Sequence, residues 1–225
     1  MKIFSTLAVK KALNDVVIDA FKQETGGTVD PVFDPTNQLL RRIHDGERFD
    51  VLIGVSDSFR TLGRIIDTKS LTPVARTGIG LAVAQGRQKP DISTTKDFIA
   101  TVLGARSVAY SRTGASGIYF AGLLEKLGIA EEVNSRATIL EKGFIAETLI
   151  DGRADLAVQQ LSELLFVPNV QIVGPLPAEL QHYTDFSAAT HSQAVTSSQA
   201  QAFVAFLASP VAKRAYLETL LELPA

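Results

Sequence analysis

The chain has no cysteine, no tryptophan, a single methionine and only three histidines. Without thiolates there is no cysteine nucleophile, no cysteine-ligated zinc and no iron–sulfur cluster. His44, His182 and His191 lie far apart in sequence, so no local histidine metal motif is present. There is no run of about 18 apolar residues, the length that reads as a membrane-spanning helix. Twenty-two basic against 24 acidic residues leave a net charge of −2, which argues against a nucleic-acid binder relying on a global positive field. Internal repeats, low-complexity tracts and long charge runs are also missing. What remains is ordinary globular material: 225 residues, 46% hydrophobic and 20% charged. That is one large domain or two small ones, and a chain of this length buries about 70% of its unfolded surface without covalent staples.

The amino terminus starts basic at Lys2 and then turns apolar, but Lys10-Lys11 interrupts before a secretory core is complete. The expectation is a periplasmic protein if a signal peptide was removed, and a cytoplasmic one otherwise.

Short β-branched runs alternate with helical segments, the signature of an α/β protein with largely parallel sheets. Strands are expected over residues 2–6, 28–33, 51–55, 79–84, 107–110, 137–140, 156–159, 170–173 and 183–189. Between them the spacing predicts helices over 8–25, 37–45, 58–66, 94–103, 116–127, 144–151 and 161–165, with 197–207 and 211–223 closing the chain. In the first helix Leu13, Val16, Val17, Ala20 and Phe21 fall three or four apart, and Gly26-Gly27 stops it. Two segments, near 77–83 and 183–189, are placed to cross between lobes. Residues 1–80 plus 190–225 then form one lobe and 81–189 the other.

In open α/β sheets ligands bind beyond the carboxyl ends of the strands, where free N–H groups and helix dipoles attract anions. Three strand-to-helix corners here are rich in small hydroxyl residues. The first is Ser5-Thr6. The second is Asp34-Pro35-Thr36-Asn37, where Thr36 and Asn37 are expected to face a cleft while Asp34 caps the helix or faces water. The third is Ser111-Arg112-Thr113-Gly114-Ala115-Ser116-Gly117, whose glycines permit close approach to a ligand. It is neither a Walker loop nor a dinucleotide fingerprint. Gln159-Gln160 offers a polar wall at a strand end, and Lys142-Gly143 precedes a further helix. Plain helix capping, an ordinary turn or a satisfied buried amide explains any one of these. Several in one chain favour a cleft that wraps a small oxyanion or carboxylate with neutral donors.

Signals for catalysis are poor. There is no Gly-x-Ser-x-Gly elbow and no His-Glu-x-x-His. Asp34, Asp57, Glu141 and Glu163 are the acids nearest the corners, none with an evident partner in the sequence, and no catalytic residue is assigned. Tyr119, one turn into the helix after the third corner, reads as core or cleft wall.

The order of several short motifs resembles the molybdate-binding type of periplasmic solute-binding protein. They are Phe21-Lys22-Gln23-Glu24-Thr25-Gly26 before a strand, Leu39 to Ile43 with Asp45-Gly46, Phe49-Asp50-Val51, Gly117-Ile118-Tyr119, and Lys126-Leu127-Gly128. The likeness runs over nearly the whole chain, and their order carries it more than any one motif. It implies a two-lobe venus-flytrap fold of the type II class, with two crossing strands as hinge and the ligand between the lobes. It also implies an oxyanion held by hydroxyls and backbone N–H groups, with no metal and no cofactor. Carried over, the family's second-turn serine falls at Thr36, its next donors at Ser116 and near Ile145, and its tyrosine at Gln159.

This sequence departs from the family at its first turn, where Ala8-Val9-Lys10 stands in place of Ser-Leu-Thr, at the second turn, and at Gln159. A larger organic acid is therefore as good a ligand as a tetrahedral oxyanion. The expected ligand-binding set is Ser5, Thr6, Thr36, Asn37, Thr113, Ser116, Ile145 and Gln159. The expected protein is a monomer that binds a small anion and serves an ABC-transporter permease, with no nucleic acid and no membrane insertion. Two other readings follow from the same residues and resemblance: a cofactor-independent isomerase of an unsaturated polycarboxylate, similar to aconitate isomerase, and a cytoplasmic ligand sensor.

Overall fold

The structure is a computed structural model that describes residues 1–194 and 197–224. They divide into two units, Met1–Thr77 with Thr184–Ala225, and Gly78–Tyr183. In chain order the first unit opens with β1 (Lys2–Ser5), a 3-10 turn (Leu7–Val9), α1 (Lys10–Ala12), a π turn (Leu13–Val17) and α2 (Ile18–Thr25). Next come β2 (Asp30–Phe33), α3 (Thr36–His44) and β3 (Val51–Val55). Strand β4 (Thr72–Ala84) passes into the second unit, which holds α4 (Thr95–Gly104), β5 (Val108–Ser111), α5 (Ala115–Lys126) and α6 (Ala130–Asn134). It continues with β6 (Thr138–Leu140), α7 (Glu147–Ile150), β7 (Leu156–Gln160), α8 (Leu161–Leu164) and β8 (Val170–Pro175). Strand β9 (Tyr183–Thr190) returns the chain to the first unit, which α9 (Ser197–Phe206) and α10 (Pro210–Glu218) complete.

In the first unit β1 lies parallel between β2 and β3, and β9 runs antiparallel to β3 with Gly54 opposite Ser187. The first four residues of β3 are fully covered, as its unbroken apolar sequence requires. One sheet face packs Ile3, Val51 and Ile53 against Leu13, Val17, Phe21, Phe203 and Tyr216. Phe21 meets Phe203 edge-on at 5.0 Å and Phe206 at 5.5 Å. The other face packs Phe4 and Leu52 against Leu39, Ile43 and Phe59.

In the second unit β5 lies parallel to both β6 and β7, and β4 runs antiparallel to β7 and β8. Both of its faces pack apolar side chains. Leu81, Tyr110 and Val158 meet Phe98 and Phe120 on one side. Ala82, Ala109 and Ala157 meet Ile145, Leu149 and Leu164 on the other.

Several expectations are corrected. The first helix is not one regular α-helix. It begins as a 3-10 turn and widens to a π turn at Leu13–Val17, where Leu13 and Val17 are buried and Asn14 and Asp15 face out. Val16 and Ala20 are only half-buried. The segment after β3 is a pair of 3-10 turns, Ser56–Thr61 and Gly63–Ile65, and not an α-helix. The expected helix at 144–151 shrinks to the single turn of α7, and α6 was not anticipated.

Gly117 fixes how closely α5 approaches the end of β5. A Cβ there would lie 1.8 Å from the Ser111 carbonyl oxygen, a contact that backbone cannot relieve. Helix propensity alone says Gly→Ala stabilises by about 1 kcal/mol. We expect the opposite sign for Gly117→Ala, a loss of about 1–3 kcal/mol, because the residue is overpacked against backbone. The urea midpoint followed by circular dichroism checks it.

Candidate functional site

In the first unit the carboxyl ends of β1 and β3 and the start of α3 bring small hydroxyl residues together. Ser5 ends β1 and Thr6 follows it; both are buried, and the Ser5 hydroxyl donates to the Thr6 carbonyl at 3.2 Å. Thr6 precedes the 3-10 turn but makes no side-chain capping bond to it. Thr36 is buried, and its Oγ1 accepts the Val55 N–H at 3.2 Å, which ties α3 to the end of β3 and leaves the hydroxyl proton to be donated elsewhere. Gly54 makes room for this: a Cβ there would meet the Thr36 methyl at 3.1 Å. Asn37 follows on the exposed side of α3.

Two further hydroxyls belong here that the sequence did not single out. Ser56 and Ser187 share a hydrogen bond of 2.8 Å, across 131 residues of chain. Ser187 sits on β9 opposite Gly54, and only the strand pairing reveals it.

Asp34 does not cap α3. Pro35 holds the cap position without a side-chain bond, and Asp34 instead accepts from Arg42 at 3.0 Å. Arg42 also binds Glu47 through two nitrogens, and Lys2 adds a third contact at 2.8 Å. The Arg42 and Lys2 contacts hold the Glu47 carboxyl down to about 2. This network draws the acid of the second corner to a cation and leaves that corner's hydroxyl donors uncontested.

In the second unit Ser111 ends β5, and its hydroxyl accepts from the backbone N–H of Thr113 and of Gly114 at 3.3 and 3.0 Å. Thr113 donates its own hydroxyl to the Glu141 carbonyl. Ser116 lies buried in the first turn of α5, which has no side-chain cap. Tyr119 is fastened to the Leu180 carbonyl at 3.0 Å and stacks on His182 at 4.5 Å.

Gln159 and Ile145 meet directly. The Ile145 N–H donates to Gln159 Oε1 at 2.8 Å, and Gln159 Nε2 donates to the Gly143 carbonyl at 2.9 Å. Both expected ligand groups are thus engaged with each other in this structure. The amide does for the loop before α7 what a strand partner does for a strand: it satisfies one donor and one acceptor. Phe144 of that loop stacks on Phe166 at 4.2 Å, which joins it to the end of α8.

The four acids near the corners separate sharply. Asp34 pairs with Arg42, exposed Asp57 with Arg60 at 3.3 Å, and exposed Glu141 with Arg112 at 3.1 Å. Glu163 has no cation. It is 8% exposed, in the single turn of α8, and burial pushes its carboxyl up to about 8. Beside it Ser162 Oγ is buried without a partner, and Gln160 is buried at the end of β7. Among the described residues no three histidine, aspartate or glutamate side chains gather as a metal site. Among the same residues no helix is long and apolar enough to cross a membrane.

Residues 1–219 match the model of a family described as bacterial extracellular solute-binding proteins. The chain belongs to that family. Aconitate isomerase from Pseudomonas sp. is 31% identical over 210 residues, 88% of this chain and 79% of that one. Among solved structures, the periplasmic molybdate-binding protein of Azotobacter vinelandii superposes with a TM-score of 0.82 at 18% identity, over the full length of both chains. The sulfate-binding protein SubI of Mycobacterium tuberculosis gives 0.75 at 16% identity, over 98% of this chain and 85% of that one. The α/β fold is therefore that of the periplasmic binding proteins, and the resemblance read from the sequence motifs is borne out.

Two outcomes are expected. Gln159→Leu leaves the Ile145 N–H and the Gly143 carbonyl without their partner. It should cost about 2–6 kcal/mol, about 1–3 for each group left unpaired, and speed hydrogen exchange at the Ile145 amide. The second concerns pH. The folded Glu163 carboxyl titrates near 8 and the ordinary one at 4.5. The folded chain therefore binds the extra proton between those values, so this contribution is complete below the lower and is lost as pH rises through the higher. Wild type should lose thermal stability relative to Glu163→Gln from about pH 5 to about pH 9, by calorimetry on the unliganded protein.

Proposed function

We propose that the chain is a solute-binding protein for a small anion, bound by neutral hydroxyl and peptide groups at strand-to-helix corners. The observation that carries this reading is the chemistry of those corners. Thr6, Thr36, Ser56, Ser187 and Ser116 are neutral hydroxyl groups, and Ser5 and Thr113, which donate to carbonyls, and the Ile145 N–H, which Gln159 holds, are further neutral polar groups at the same corners. The nearby cations Arg42 and Arg112 are already paired with carboxylates. Neutral donors bind an anion well, because each hydrogen bond to a charged acceptor is roughly twice as strong as a neutral one. The named relatives agree in charge: molybdate, sulfate and aconitate are all multiply negative. An organic polycarboxylate is the first ligand to test, since the 31% identical relative bears the name of an enzyme of such an acid. In this reading the protein works outside the cytoplasm and delivers its ligand to an ABC-type permease.

Titration calorimetry with molybdate, sulfate, cis-aconitate and citrate tests it. One of them is expected to bind, and Thr36→Val and Ser116→Ala each to weaken it about 10–150-fold, the loss of one hydrogen bond to a charged group. Absence of binding by every anion sinks the reading.

The same relative supports a second reading, in which the chain moves a proton within an unsaturated polycarboxylate. Proton NMR of cis- and of trans-aconitate incubated with the protein distinguishes them. Interconversion means an isomerase, and unchanged spectra with a bound ligand mean a binding protein.

A further inference from the structure

The first unit has a second hollow, at the end of its sheet away from Ser5 and Thr36. Lys2 opens β1, Asp50 precedes β3 and His191 follows the antiparallel β9, so all three stand at the amino ends of the parallel strands. The hollow encloses about 410 Å³, within the usual range of small-molecule sites. Its apolar wall includes Ile43 and Phe49, 6% and 4% exposed. Phe49 is held by Phe4, stacked at 5.5 Å, and by the edge of the His191 ring at 5.1 Å. The Asp50 N–H donates to the Lys2 carbonyl and the His191 N–H to the Asp50 carbonyl, both at 2.8 Å, which fixes the frame.

Four charged side chains line this hollow, and they fall into two kinds. Lys2 and Glu47 pair with each other at 2.8 Å, and Glu47 also pairs with Arg42 at 2.6 Å. Arg48 and Asp50, on either side of Phe49, make no ion pair among the described residues. Asp50 Oδ2 accepts the Lys2 N–H at 2.6 Å, and Oδ1 stays open. His191 Nδ1 accepts the Gln193 N–H at 3.0 Å, so the proton of the neutral ring sits on Nε2 and is there to be donated. Burial lowers the pKa of that ring and so favours its neutral form. The carboxyl end of α3 reaches the hollow through Ile43 and Gly46, and the dipole of that end favours a cation.

The hollow therefore offers one cation and one anion that nothing else neutralises, beside an apolar wall. A simple anion would be opposed by Asp50, and a simple cation by Arg48. A guest that carries both charges meets both, and each contact is a charge-assisted hydrogen bond. We propose that this hollow is a binding site for a small zwitterion with an apolar body, an α-amino acid of the leucine or phenylalanine kind. Arg48 and His191 Nε2–H take its carboxylate, Asp50 and the end of α3 take its ammonium, and Ile43 and Phe49 cover its side chain. None of these residues belongs to the anion corners, so the inference is independent of the reading above.

The experiment is a proton–nitrogen NMR titration of the full chain with L-leucine and L-phenylalanine. Three further probes each lack one feature: N-acetyl-L-leucine the ammonium, L-leucinamide the carboxylate, and glycine the apolar body. Leucine or phenylalanine should shift the amides of Phe49 and Gln193 and saturate. N-acetyl-L-leucine and L-leucinamide should each bind about 10–150-fold more weakly, the loss of a hydrogen bond between charged groups. Arg48→Gln, on an exposed side chain, should weaken leucine by a similar factor and leave leucinamide unchanged. Asp50→Asn keeps an oxygen for the Lys2 N–H, and should weaken leucine while leaving N-acetyl-L-leucine unchanged.

Three results overturn the proposal: no shift at Phe49 or Gln193 with about 20 mM of either amino acid, a concentration at which even a weak millimolar site fills; shifts confined to Ser5, Thr6 and Thr36; or equal affinity for leucine, its N-acetyl form and its amide. Each leaves the anion titrations as they stand, and failure of those titrations leaves this hollow as it stands.

Discussion

A single side-chain amide holds the second unit's corner. The loop between β6 and α7 has a donor and an acceptor that neither a strand nor a helix can reach, and both lie over an apolar core. Left unpaired, each would cost about 1–3 kcal/mol. Gln159 answers both at once, with a geometry only a primary amide has: one oxygen that accepts and one nitrogen that donates, fixed in a plane. A carboxylate in its place would lack the donor. The pair of bonds fixes the backbone on both sides of Phe144, which stacks on Phe166.

The first unit solves its corner differently. Here the polar groups are hydroxyls, and each can rotate to donate or accept as its neighbour requires. Thr36 spends its acceptor side on Val55, and Ser56 and Ser187 share one proton between two oxygens. Such groups adapt to a guest without moving backbone. The charged side chains of the same region, Asp34, Arg42, Glu47 and Lys2, are tied to one another. The separation of neutral donors from paired charges makes the corner suit an anion without committing it to one shape.

Much of this was legible in the residues. Strands β1, β3 and β7 announce themselves as apolar runs, and Gly26 ends α2 in the left-handed conformation that glycine favours. Thr36, Ser116 and Gln159 stand at strand-to-helix corners legible in the sequence, Ile145 is placed only by the family resemblance, and the last two are bonded to each other in the structure. What escaped was decided by long-range partners. Asp34 has the local look of a cap, but Arg42, eight residues on, competes for it with a charge. Ser187 is unremarkable in its own segment and acquires meaning only when β9 pairs with β3. Glu163 is legible as an acid near the corners, but periodicity over a single helical turn cannot tell that it is buried.

The path of the chain between the units has a consequence for synthesis. The second unit is one unbroken stretch, whereas the first is split around it, its halves ending at Thr77 and resuming at Thr184. A ribosome therefore finishes all of the inserted unit while the opening segment still lacks β9, α9 and α10. Phe21 must wait for Phe203 and Phe206, and the sheet edge at β3 stays bare until β9 emerges. Nascent protein of this kind carries an exposed apolar face for most of its translation, so the amino-terminal segment is the part of the chain most in need of a chaperone.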